Sequence, residues 1–317
     1  MTRFHALLGS VLLAVLLYTG LWYTAGMKVQ KDIVATMDSW RDSGLKADHG
    51  RVKLEGFPYR IMITIDKPRV GTRSGGFGFR ANKLTLVSHL WTPGHWMAEA
   101  WGVEANAADD AWEMKDGYVR ASYRTHEDGR PIIVVDSYTT DDFTLEKAPG
   151  LDAPTSLDGW QVFLRPGTVK DGKDSGLYGA RFLDFKVTAR KGAVQFDAEG
   201  GISGPVVEDW TRDELTAWTN GGGIMEFSDL SLNLDGARIK GNGSLALDEN
   251  FKPLGSISLE VAGGKAAAAY FKDTFGMDTG DALSPLGAKA TPISVMLQNG
   301  AVMVDGTEVM ALKPVID

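Results

Sequence analysis

Cysteine is missing from all 317 residues. That removes disulfides, thiolate metal sites and a cysteine nucleophile together, though it does not fix the compartment, since an exported domain of this size buries enough core without disulfides. A basic excess is missing too: 33 Lys and Arg stand against 41 Asp and Glu, a formal net charge of −8. Nucleic acid is not expected as a partner, because phosphate binding needs an excess of positive charge. Histidine is scarce. His5, His49, His89, His95 and His126 form no His-x-x-x-His pair and no cluster with carboxylates at metal spacing, so no metal and no cofactor are expected.

Catalytic motifs are also lacking. There is no Gly-x-Ser-x-Gly elbow. Ser43 and Lys46 have Ser-x-x-Lys spacing without its companion motifs, and Ser43 reads as a residue capping a helix end or facing solvent. Gly241-Asn242-Gly243 starts like a phosphate loop, but strand-like Leu245-Ala246-Leu247 follows instead of a helix, so it reads as a bulge or tight bend. The acid pairs Asp109/Asp110 and Asp141/Asp142 read as solvated, since neighbours on a strand point to opposite faces. No catalytic residue is assigned, and an enzyme is not expected.

What is present begins with a long apolar run. Residues 4–27, FHALLGSVLLAVLLYTGLWYTAGM, contain no Asp, Glu, Lys or Arg. At about 1.5 Å per residue such a helix spans a hydrocarbon core of about 30 Å, and Tyr18, Trp22 and Tyr23 near its end suit the headgroup layer. An uncleaved anchor fits better than a signal peptide. A cut after Ala25 would leave bulky Tyr23 two residues upstream, and a cut after Gly26 would leave Thr24 there. Arg3 before the run and Lys28 and Lys31 after it nearly balance under the positive-inside rule; the body is expected outside the cytoplasm because it follows the export signal. Residues 1–27 are thus read as a transmembrane anchor. Residues 28–45 are read as its amphipathic continuation, laying Val29, Ile33, Met37 and Trp40 on the body until Gly44 stops the helix.

From residue 46 to 317 the period becomes two. Ile61, Ile63 and Ile65; Leu183, Phe185 and Val187; Val194, Phe196 and Ala198; Leu230, Leu232 and Leu234; and Ile257, Leu259 and Val261 each alternate with polar neighbours. Rougher runs occupy 79–90, 117–125, 131–145, 237–248 and 293–304. Asp116-Gly117, Asp128-Gly129, Lys191-Gly192, Asp235-Gly236, Asn299-Gly300 and Asp305-Gly306 read as hairpin turns. Helices are expected at Thr211–Thr219, opened by Thr211 and Glu214 in a capping box, and near Lys265–Phe275. Segments 106–116 and 148–156 read as loops. The fold class is therefore mainly β: a large curved antiparallel sheet, as a groove or an open sandwich, with few short helices, no visible sequence repeat and a division into two sub-sheets.

Charge and aromatics are uneven. Residues 46–83 hold nine Lys or Arg against three acids, net +6, a strip that suits anionic headgroups or simply a solvated strand face. Trp91, Trp96, Trp101 and Trp112 fall within 22 residues, as a bulky core corner or as an apolar wall facing lipid.

The run Gly56-Phe57-Pro58-Tyr59-Arg60 steers the chain from helix to strand: glycine permits an unusual backbone angle, and proline blocks helix and holds Phe57 extended. With the preceding apolar span and the following Trp91-Thr92-Pro93, it resembles a family of bacterial envelope proteins, domain-of-unknown-function family 2125, which itself looks like a relative of the AsmA-like proteins. That resemblance implies a single span before a curved sheet with an apolar inner face, associated with phospholipid movement or membrane homeostasis. It carries over no catalytic residue.

The expected function is a protein anchored in the bacterial inner membrane, its body in the periplasm, that binds or handles membrane lipid in an apolar β groove. Trp91, Trp96, Trp101, Leu183, Phe185 and Val187 are the candidate lipid or membrane contacts. The alternative is an envelope scaffold without a groove that binds other envelope proteins.

Overall fold

A computed structural model describes residues 3–72, 77–92, 94–107, 110–126, 129–138, 143–147, 155–167, 181–206, 212–312 and 314–315. Pro93, Asp109, Asp128, Asp141, Asp142, Thr211, the side chain of Trp112 and segment 148–154 lie outside that description. The chain divides into two compact units: Met1–Thr125 with Ser137–Glu146, and His126–Asp136 with Lys147–Asp317.

The first unit opens with α1 (Arg3–Asp42), one helix running without interruption from the apolar run into the amphipathic stretch. Ser43 Oγ donates to the Trp40 carbonyl at 2.9 Å, a cap at the helix end. There follow β1 (Lys46–Asp48), β2 (Val52–Glu55), β3 (Ile61–Asp66), β4 (Arg69–Gly71), β5 (Phe77–Arg80), β6 (Lys83–Ser88), β7 (His95–Ala107) and β8 (Asp110–Thr125). The long β7 is the spine. Its first half pairs with β6, which pairs with β3 and then β2; its second half pairs with β5, then β4, then β1. Its other edge pairs with β8. All these pairings are antiparallel.

That ladder corrects two expectations. Segment 106–116 is strand on both sides of residues 108–109, because β7 and β8 pair as far as Ala107 and Asp110. Asp116-Gly117 makes no hairpin turn: β8 passes through it, and the register jumps between Trp101 and Val103 as the chain bulges. A long cross-strand ladder overrides the turn preference of an Asp-Gly pair.

The second unit holds β9 (Pro131–Tyr138), whose last two residues belong to the first unit, and then β11 (Thr155–Leu157), β12 (Gly159–Pro166), β13 (Arg181–Lys191), β14 (Val194–Ser203), α2 (Arg212–Asn220), β15 (Ile224–Leu234), β16 (Ala237–Leu247), β17 (Pro253–Ala262), α3 (Gly264–Phe275), α4 (Gly280–Leu283), β18 (Thr291–Gln298), β19 (Ala301–Val304) and β20 (Thr307–Ala311); β10 (Phe143–Lys147) pairs with β8. From β12 to β20 each strand pairs antiparallel with the next, and β9 pairs with β12. No described pairing joins β20 to β9, so the sheet is open. The turns at residues 192, 236, 300 and 306 connect neighbouring strands as their Gly pairs predict. Gly241 and Gly243 sit inside β16, in register with Leu259 and Ile257; the irregularity lies across from them, between Phe227 and Leu230 of β15.

Cross-strand partners share a face. Val187, Ala198 and Leu230 are thus on one face with Gly241 and Leu259. α2 covers one end of this face through Trp218, in a core with Phe185 and Ile202. α3 covers the other end, over Ala237, Ile239, Val261 and Ile293.

Candidate functional site

The site of interest lies between α1 and the sheet of the first unit. Ala25, Val29 and Ile33, at helical spacing of four, pack on Ile61, Ile63 and Ile65 of β3. These isoleucines alternate with Met62 and Thr64, so the whole apolar face of β3 turns to the helix and is buried. Just past its midpoint the helix lies close: a Cβ on Gly26 would come within 2.7 Å of Leu54 Cδ1. The helix is pinned by side chains that reach backbone carbonyls. Trp22 Nε1 donates to the Arg60 carbonyl at 3.1 Å, Gln30 Nε2 to the Val52 carbonyl at 2.8 Å, and Tyr18 Oη to the Pro58 carbonyl.

Beyond Ile65 the sheet bends. Lys67 has φ 47° and Gly102 has φ 58°, both in the left-handed region. Between them Asn82 joins the neighbouring strands: its N–H donates to the Trp101 carbonyl at 2.8 Å, and its carbonyl accepts from Lys67 N–H at 3.0 Å. Gly102 is required here twice over, by its φ and because a Cβ would collide with the Asn82 side chain. Three adjacent strands thus turn at one level beneath α1.

The result is an apolar cavity of about 610 Å³. Its roof is Val29, Ile33, Met37 and Trp40 of α1; its floor is Ile65, Val70, Phe79, Leu84, Leu86 and Trp96. Asp32 and Arg69 are the charged residues in its lining, and Asp32 is engaged by Lys28 at 2.8 Å. That ion pair raises the Lys28 amine above its ordinary pKa, chiefly through the hydrogen bond to Asp32. A volume in this range suits a small ligand or a single aliphatic chain. Walls of hydrocarbon and indole can hold an apolar group by burial; they bring together no nucleophile and base.

Residues 22–304 match the model of the family DUF2125, described as an uncharacterized protein conserved in bacteria. The chain belongs to that family. No curated protein and no solved structure matches it. The DUF2125 match begins at Trp22, a fully buried side chain of α1, and takes in the packing of Ala25, Val29 and Ile33 on β3.

In this DUF2125 protein the sequence-derived candidates are dispersed. Trp96 lines the cavity. Trp101 sits on the opposite face of the sheet, 4.6 Å from the Tyr118 ring and with Lys83 Nζ 5.7 Å above it. Trp91 is exposed on the β6–β7 connection, stacked on His89 at 4.9 Å. Leu183, Phe185 and Val187 belong to the second unit, with Phe185 in the core under Trp218 and the other two packed against it. Gly56–Arg60 forms the β2–β3 turn, with Gly56 at φ 97° and a cis Phe57–Pro58 peptide. Phe79, Val70 and Leu84 were not singled out in the sequence. Their signal is faint: it is the coincidence of irregular positions at Lys67, Asn82 and Gly102, which only strand register aligns. Among the described residues no group of His, Asp or Glu could hold a metal ion.

Proposed function

We propose that the protein is anchored by α1 in the bacterial inner membrane, with its body in the periplasm, and that it holds a lipid acyl chain in the cavity beneath α1. The observation that carries this reading is an apolar cavity roofed by the same helix that, N-terminal to it, is long and apolar enough to cross a membrane. Among the described residues α1 is the one helix of that kind, and its apolar stretch is hardly covered by protein. A cavity of hydrocarbon walls gains by excluding water around an aliphatic chain, at about 25 cal/mol per Å² of apolar surface removed. The roof of the cavity begins at Val29, about two turns past Trp22, which keeps a bound chain close to the membrane that would supply it.

Native mass spectrometry with lipid extraction tests this on the full chain purified from membranes. Wild type is expected to carry stoichiometric phospholipid or fatty acid. Thr36→Leu with Ala105→Leu, which fills the cavity from roof and floor, is expected to lower occupancy about tenfold, equivalent to about 1.4 kcal/mol. Val187→Asp, on the apolar face of the second unit, is expected to retain the lipid. A lipid-free wild type overturns the reading, and loss in Val187→Asp alone moves the site to the second unit.

A further inference from the structure

We infer that the Gly56–Arg60 turn, together with Trp91, is seated in the outer leaflet, so that the body rides on the bilayer surface instead of hanging from a free tether. This rests on α1 crossing the membrane. The uncharged run extends from Phe4 to Met27, bounded by Arg3 and Lys28. A span needs about 20 residues. Every window of that length inside the run contains Tyr18–Tyr23, whichever way the helix is slid. Whatever is fixed against Tyr18–Tyr23 is therefore at membrane depth.

The turn is fixed there. Tyr18 Oη donates to the Pro58 carbonyl, and Trp22 Nε1 to the Arg60 carbonyl at 3.1 Å. Phe57 packs on Trp22 with ring centroids 5.4 Å apart, edge to face, and stacks on Tyr23 at 6.1 Å. The turn contains no charge before Arg60 and offers large apolar side chains outward: Phe57 is 47% and Tyr59 73% exposed. Trp91 joins them at 63% exposed; its stacking partner His89 has Nδ1 3.4 Å from the Tyr59 carbonyl oxygen.

The hydrogen bonding of the turn points the same way. Non-helical backbone at membrane depth is tolerated only when protein satisfies its polar groups. The Gly56 carbonyl accepts from Arg60 N–H at 3.1 Å, the Pro58 and Arg60 carbonyls accept from Tyr18 and Trp22, and Pro58 itself has no N–H to satisfy. A turn surrounded by water would gain little from two helix side chains spent on its carbonyls. Aromatic rings with polar edges are the side chains that favour the headgroup layer, and exposed Arg60 can extend its guanidinium to lipid phosphates.

Because the chain has no cysteine, single substitutions can carry an environment-sensitive fluorophore without interference. Leu12→Cys, Tyr59→Cys and Ser43→Cys would be labelled in the full chain and reconstituted in phosphatidylethanolamine–phosphatidylglycerol vesicles containing brominated lipids. Leu12 lies in the middle of the run, and Ser43 about 37 Å along the helix from Tyr18 at about 1.5 Å per residue. The expected result is blue-shifted emission and a loss of fluorescence at Leu12 and Tyr59, with none at Ser43. Quenching at Leu12 with Tyr59 as unquenched as Ser43 overturns the seating while leaving the span intact. No quenching at Leu12 overturns the span, and the seating with it; equal quenching at all three positions overturns the seating as a property of this turn.

Discussion

α1 in the first unit and α3 in the second both lie on an antiparallel sheet, but they are built from different side chains. α3 presents Ala267 and Ala268 to its sheet, both buried, while buried Gly264 faces α4. A Cβ on Gly263, which opens α3, would collide with the Gly236 carbonyl at the start of β16, so helix and sheet backbones approach closely there. Neither Ala267 nor Val261 beneath it has any exposed surface. α1 comes close at Gly26. Farther on it presents Val29, Ile33, Met37 and Trp40 to strands that bend away, and a cavity remains. Small residues close a helix onto a sheet; large ones over a diverging floor hold it off. At these positions α3 is closed onto its sheet, and α1 leaves an apolar space.

The largest effect expected concerns the closed part of the α1 contact. Ile63→Ala, at a position with no exposed surface, is expected to cost about 2–5 kcal/mol. Amide hydrogen exchange should register the loss in β3 and β6 while α3 keeps its protection. Equal loss in α3 would show that the two units unfold as one and would break the comparison.

A smaller and more discriminating pair contrasts the two helices directly. Ala267→Leu adds bulk where α3 touches its sheet and is expected to cost about 1–3 kcal/mol through overpacking. Thr36→Leu adds one heavy atom facing the cavity, against three in Ala267→Leu, and is expected to stay within about 0.5 kcal/mol of wild type. Thermal unfolding of both variants in the same detergent decides the matter. If Thr36→Leu is as costly as Ala267→Leu, the space beneath α1 is already filled by neighbouring side chains.

Much of the frame was legible in the sequence because it rests on local periodicity. Val29, Ile33 and Met37 marked the inner stripe of α1, and Ile61, Ile63 and Ile65 marked the strand beneath it. The Asn299-Gly300 and Asp305-Gly306 pairs marked turns that the backbone needs at positive φ. The reading failed where a distant partner decides conformation. Segment 106–116 is polar and Ala-rich, yet its described residues lie in strands held by the β7–β8 ladder, and Asp116-Gly117 is absorbed into a bulge of that ladder. The cavity was not legible for the same reason. Phe79, Leu84 and Trp96 look like ordinary inward residues of separate strands, and only their register beneath α1 places them around one space. The Gly56–Arg60 run lies between β2 and β3; its contact with Tyr18 and Trp22 joins residues 40 and 38 positions apart, which no local pattern reports.

The smallest effect expected is a pH dependence confined to the α3 side. Tyr270 of α3 has its hydroxyl pKa raised above the ordinary value of about 10 by partial burial, and a hydrogen bond with Thr274 offsets part of this. The fold therefore prefers the neutral phenol and holds its proton to higher pH than the unfolded chain does. The associated stability is complete below the unfolded pKa and is lost as pH rises from about 10 through the folded value. Tyr270→Phe cannot ionise, so its stability should lack this alkaline decline and cross that of wild type above about pH 10. Hydrogen exchange followed across that range should show the decline in α3 and the strands beneath it, while β3 and β6 keep their protection in both proteins. A matching decline in Tyr270→Phe would assign the alkaline loss to other groups and leave the α3 contact without a pH signature of its own.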